Sequence, residues 1–220
     1  MAAATPTPVP TVTETELGLW DLFSESFDVF TVVLVLGSFA AVALMVRVVT
    51  EARASKLAPE ETAEGMSKLA KDADLKGLRK AAESDPSPLG SIVIAALDAG
   101  DDESKRQEAA ELAAADRIAG AFRLVDPLAV IGNLAPLIGL AGTVWGMIIA
   151  FATLGETGGQ AGPGALSSGI SKALFHTLLG LVLAAPSLAF YGFYRAKIDK
   201  LCNRVLVLGA RIVEQLPAEK

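Results

Sequence analysis

Between Leu128 and Leu154 the chain reads LAVIGNLAPLIGLAGTVWGMIIAFATL, an apolar run without a single charged residue. A bilayer core about 30 Å thick is crossed by roughly 20 helical residues, so this run is long enough to span one. Within it, Gly139, Gly142 and Gly146 recur at helical spacing around Thr143. Small residues let helices approach closely in lipid, where apolar side chains gain nothing by leaving their surroundings. A hydroxyl at that depth is one of the few polar groups the span has to offer.

Two further stretches have the same character. Phe30 to Val49 is apolar except for Arg47 near its end, and Ala173 to Tyr194 is apolar and closed by Arg195 and Lys197. A fourth candidate, Leu89 to Leu97, is too short to cross and reads as a buried or interfacial helix. Composition agrees: 52% of residues are hydrophobic but only 6% aromatic, and the mean hydropathy is +0.46. Small residues in place of bulky ones suit close-packed membrane helices.

The fold class is therefore an all-α membrane protein with three transmembrane helices, at 30–49, 127–154 and 172–195. The basic residues orient it. Residues 1–29 contain Glu14, Glu16, Asp21, Glu25 and Asp28 but no Lys or Arg, and neither does the Gly-rich loop GETGGQAGPGALSSG from Gly155 to Gly169. The region 50–126 and the tail 196–220 are rich in Lys and Arg. The N-terminal segment and the 155–171 loop are thus expected outside, and the middle region and tail in the cytoplasm.

No cleavable leader is expected, because a basic stretch before the first apolar run is lacking. Pro, Thr and Ala crowd the first thirteen residues, a disordered composition. Thr13-Glu14-Thr15-Glu16 then fits a capping box. Trp20, Phe23, Phe27 and Phe30 follow at helical spacing, which fits an amphipathic helix on the outer surface as well as an extension of the first span.

The cytoplasmic region reads as helices. Pro59-Glu60-Glu61 looks like a first turn, Asp85-Pro86-Ser87-Pro88 is a break, and the run from Asp102 flows into the second span through Pro127. After the third span, Ile198, Leu201, Cys202, Val205, Gly209, Ile212 and Leu216 fall on one helical face, with Lys197, Lys200, Arg204 and Arg211 on the other. Spans two and three are expected to continue as long cytoplasmic helices.

Enzyme chemistry has little to draw on. With one histidine in the chain, a His-based metal cluster or a Ser-His-Asp triad has almost no material to draw on; one cysteine rules out an internal disulfide, and no cofactor is implied. The glycines of GGQAGPG follow no strand and lack the Lys-Ser/Thr ending of a phosphate loop. The cytoplasmic Lys and Arg alternate with Asp and Glu, a solvated surface and not a nucleic-acid patch. Inside the spans the polar groups are Ser38, Asn133, Thr143, His176, Thr177 and Ser187, with Lys172 at the outer entrance of the third. No Asp or Glu lies inside any span, so an ion relay would need a carboxylate from a partner.

The stretch GLAGTVWGMIIAF with Pro136 before it, and GISKALFHTLLGLVLAAPSLAFY from Gly169 to Tyr191, resemble the signatures of the MotA/TolQ/ExbB family. The second keeps Thr177, Gly180 and Pro186. Three spans with a cytoplasmic region between the first two match the ExbB/TolQ-like branch and not the four-span flagellar stators. The resemblance implies a homopentamer in the bacterial inner membrane around an ExbD/TolR-like single-span partner that carries an intramembrane Asp. Ion-motive force, of H⁺ or Na⁺, would then drive mechanical work across the envelope. It places Thr143 and Thr177 on the ion pathway. Where ExbB-like proteins often carry Glu near the start of span three, this chain has Lys172.

Each residue also has a plainer reading. A threonine hydroxyl in a membrane helix can bond the carbonyl four residues back. His176, about 100° around the helix from Thr177, fits an interhelical hydrogen bond or a proton relay. Lys172 fits snorkelling to the outer interface or tuning of cation entry. Gly139, Gly142 and Gly146 are packing positions, and Pro136 and Pro186 helix kinks. A non-conducting scaffold that recruits proteins through its cytoplasmic helices is the alternative to a motor subunit.

Overall fold

The computed structural model describes residues 18, 20, 23–24, 26–52, 60–158 and 162–217, except for the side chains of 163 and 165. Its elements are α1 (Val29–Glu51), α2 (Glu60–Lys71), α3 (Leu75–Ser84), α4 (Pro88–Asp98), α5 (Glu103–Phe122), α6 (Asp126–Glu156) and α7 (Pro163–Glu214). The apolar parts of α1, α6 and α7 are long enough to cross a membrane, while α4 is too short. Only 17% of the most apolar stretch is buried for α1 and for α6, and 33% for α7. Leu36, Phe39, Val42 and Val46 on α1, and Leu137, Leu140, Val144 and Ile148 on α6, are exposed. In water such faces would aggregate; lipid or another apolar helix is what they fit. The chain is a multi-pass membrane protein.

The chain divides into two compact units, Met1–Leu36 with Ala135–Leu183, and Gly37–Leu134 with Ala184–Lys220. The second holds α2 to α5. Its helix ends follow from local chemistry. The α2 helix carries Glu60 and Glu61 in its first turn and Lys68 and Lys71 in its last, matching the helix dipole. Asp74 caps α3 by accepting from the Gly77 amide, Ser87 caps α4 ahead of Pro88, and Asp102 caps α5. Met66, Leu78, Leu89, Val93, Val125, Leu128, Ile198, Val205 and Ile212 are fully buried. The face expected from Ile198 to Leu216 is indeed buried, and Lys197, Lys200, Arg204 and Arg211 are exposed.

Polar ties hold the end of α7 in this unit. The Ser67 hydroxyl donates to Gln215 Oε1 at 2.7 Å. Buried Arg106 donates to the Pro217 carbonyl at 2.9 Å and to Asp101 at 2.6 Å. Arg204 pairs with Glu60, and Arg195 with Asp126 at 3.6 Å.

In the first unit, Asp28 caps α1 by accepting from the Thr31 amide at 3.0 Å, and the Thr31 hydroxyl donates to the Ser26 carbonyl at 2.6 Å. The α7 helix begins at Pro163, so residues 163–171, expected as loop from their glycines, are helical. Proline is tolerated in a first helical turn, and at Gly169 a Cβ would come within 2.7 Å of Ala150 Cβ, so the close contact with α6 requires the residue that breaks the pattern. The expected amphipathic helix before Asp28 lies largely outside the described residues. Within them, the Trp20 and Phe23 rings stack at 5.7 Å, and Phe23 meets Phe27 edge-on at 6.0 Å.

Candidate ion-pathway site

In the first unit α6 and α7 run antiparallel, and the small residues set their spacing. A Cβ placed on Gly139 would lie 2.6 Å from the His176 carbonyl oxygen, and one on Gly142 2.8 Å from the His176 side chain. At Gly146 it would meet Ala173 at 2.9 Å, and at Gly180 the Ala135 carbonyl at 2.5 Å. Any side chain here would push the helices apart. The glycine spacing read from sequence is therefore the seam of this helix pair.

Thr143 and Thr177 meet across that seam. Their hydroxyls are hydrogen-bonded to each other. Thr143 also lies 3.1 Å from the Gly139 carbonyl, four residues back, and 3.1 Å from the Ala173 carbonyl on α7. Thr177 Oγ1 lies 3.3 Å from the Gly139 carbonyl. Each hydroxyl has one proton to give, so two protons are shared among two hydroxyl and two carbonyl oxygens. Thr143 can donate to a carbonyl while accepting from Thr177, or Thr177 can donate to Gly139 while accepting from Thr143. The back-bond to the preceding turn and the cross-helix contact coexist. Thr143 is 8% exposed, and Thr177 is half-buried.

His176 is buried, at 3% exposure, and its Nε2 lies 3.0 Å from Asp28 Oδ1. An ionised carboxylate only accepts, so the ring donates this bond from Nε2–H. The same Asp28 oxygen accepts from the Thr31 amide, so one carboxylate both starts α1 and holds the imidazole. The Phe30 ring packs edge-on to His176 at 6.2 Å. Lys172, one turn earlier on α7, is half-buried. Pro136 and Pro186 lie inside α6 and α7, where each leaves the carbonyl four residues back without its helical donor; Pro136 is half-buried and Pro186 exposed.

Asp28 is the residue that sequence reasoning missed. It stands two residues before the expected first span and is counted among the acidic residues of the N-terminal segment. Two signals pointed to it. Asp28 with Thr31 three residues on, ahead of an apolar run, is a helix start. A lone histidine in an apolar span also needs a polar partner, and Asp28, like Glu156, is a carboxylate two residues from a span end on the side where span three begins.

Comparison with known proteins bears on the same stretch. The model of the MotA/TolQ/ExbB proton channel family matches residues 75–206, more than half of the chain. The biopolymer transport protein ExbB of Pseudomonas putida is 34% identical over 100 residues, 42% of this chain and 30% of that protein. The ExbB of Salmonella typhimurium is 35% identical over 91 residues, 38% of this chain and 37% of its own length. The Tol-Pal system protein TolQ of Pseudomonas aeruginosa is 38% identical over 77 residues, 35% of this chain and 33% of that protein. The chain thus spans about a third of the length of these curated relatives.

Proposed function

The chain belongs to the MotA/TolQ/ExbB proton channel family, and from that premise we propose that it is a subunit of an ion-driven motor of the ExbB/TolQ type in the bacterial inner membrane. Copies of the chain, five in number, surround a single-span ExbD/TolR-like partner that contributes an intramembrane carboxylate. Proton flow past that carboxylate is coupled to mechanical work in the cell envelope. The observation that carries this reading is the Thr143–Thr177 hydroxyl pair, set in the glycine seam of two apolar helices. Thr177, the more exposed member, is the one that offers its hydroxyl to the partner's carboxylate, and Thr143 holds it in place through the shared Gly139 carbonyl. The exposed apolar faces of α1 and α6 suit helix–helix contact in a ring as well as lipid.

Replacing threonine by valine keeps the shape and removes the hydroxyl. With the partner co-expressed, Thr143→Val or Thr177→Val should abolish proton flux into vesicles while the complex still purifies intact. Thr→Ser should retain most of it. Full flux in the double valine variant would favour the scaffold. Orientation is tested separately: a cysteine at exposed Ser167, in a Cys202→Ser background, should react with a membrane-impermeant thiol reagent on intact cells. A cysteine at exposed Lys200 should react only after lysis, and the reverse pattern would invert the topology.

A further inference from the structure

A cavity of about 340 Å³ opens in the first unit between α6, α7 and the segment that starts α1. Its polar lining is Ser26, Asp28, Thr153, Ser168, Lys172 and His176, an unusual concentration for a helix pair whose other surfaces are apolar. His176 contributes more than its bond to Asp28. Among the described residues its Nδ1 is buried without a hydrogen-bond partner, and so is the Ser26 hydroxyl. A buried polar atom left unpaired costs about 1–3 kcal/mol, which a purely structural histidine would avoid. The cavity is large and polar enough to admit water.

We propose that Asp28 and His176 form a proton-binding dyad, filled from water in this cavity, that feeds protons towards the Thr143–Thr177 pair. This rests on the proton-channel reading above. In the neutral dyad His176 donates Nε2–H to the Asp28 carboxylate and keeps a lone pair on Nδ1. A hydronium ion in the cavity gives its proton to Nδ1 and leaves as water. The ring becomes an imidazolium whose charge faces the carboxylate. Loss of the Nδ1 proton to the next acceptor restores the neutral ring, and nothing is oxidised or reduced. The groups that bias the ring are few. Asp28 faces it from the start of α1, Lys172 lies one turn back on its own helix, and α6 presents Gly139 and Gly142 with no titratable residue between Ala135 and Leu154.

The chain has a single histidine, so labelling histidine with ¹⁵N reports this ring alone. In the full chain reconstituted in lipid nanodiscs, the ring nitrogens should pass reversibly between the neutral Nε2–H form and the imidazolium as protons are supplied. In Asp28→Asn the Nε2–H bond to the carboxylate should be lost, read as a change in the ring's ¹⁵N shifts. Asparagine is itself a good helix cap, so α1 should still start correctly. In vesicles that carry the co-expressed partner, Asp28→Asn should cut proton flux by tenfold or more. A ring that keeps one neutral form throughout, or flux undiminished in Asp28→Asn, overturns the dyad and leaves the channel reading standing. Absence of flux from the unmodified complex, whatever the ring does, overturns the channel reading and the relay with it.

Discussion

The two units of this chain are held together in different ways. In the second, the fully buried side chains are large and apolar, Met66, Leu78, Leu89, Val93 and Ile212 among them, and capped helices surround them. In the first, among the described residues, the one large side chain that is fully buried is Thr31, and contact between helices is made by Gly139, Gly142, Gly146 and Ala173. The contrast follows from the surroundings. Water drives large side chains inward at roughly 25 cal/mol per Å² of apolar area. Lipid supplies no such drive, so helices there associate through close backbone approach and hydrogen bonds. A helix pair packed on glycines also leaves room for hydroxyls and an imidazole between its members, and that is where the polar groups of the first unit are found.

The largest effect should come from breaking the glycine seam. In Gly139→Leu the new side chain starts 2.6 Å from a backbone oxygen that cannot move aside, so α6 and α7 have to separate. Assembly, read by size-exclusion chromatography in mild detergent, should be lost. Gly120→Leu meets nothing within 4 Å and should assemble normally. If both behave alike, close approach is not what the first unit depends on.

Next in size is the core of the second unit. Leu78→Ala removes a fully buried side chain and should cost about 3 kcal/mol. It should lower the thermal midpoint and expose α2 to α5 to protease, while proton flux measured well below that midpoint stays near its starting value. An equal loss of flux would mean that the two units are not separable in function.

How much of this was legible depended on the distance over which the signal acts. The buried face from Ile198 to Leu216 repeats every three to four residues, so a one-dimensional pattern carried it. The break at Asp85-Pro86-Ser87-Pro88 lay in side-chain chemistry, since Ser87 caps and Pro88 opens a helix. Thr143 and Thr177 stood out as hydroxyls inside apolar spans and the resemblance gave them a role, but their direct contact needed the register of α6 against α7. Asp28 and His176 are 148 residues apart, and no local period joins them. The helical start of α7 was hidden because glycines read as loop, whereas Gly169 serves contact with Ala150.

The smallest expected effect concerns Cys202, which is buried in the second unit at 5% exposure. Burial pushes its thiol above the ordinary range, and the Asp199 carboxylate adds to the shift. A thiol so placed binds its proton more tightly in the folded chain than in the unfolded one. The stability gained is fully present below the ordinary thiol range, near pH 8.5, and is lost as the pH rises through the higher folded value. Raising the pH from 8 to 9.5 should therefore weaken the second unit slightly, and Cys202→Ala should remove that part of the slope. The same burial should slow alkylation, because the thiolate is the reactive form. Iodoacetamide at pH 8 should label Cys202 far more slowly in the folded chain than in urea. Parallel pH profiles for the wild-type chain and Cys202→Ala, or rapid labelling without denaturant, would place this cysteine in contact with water and the α7 face as less closely packed than its neighbours Ile198 and Val205.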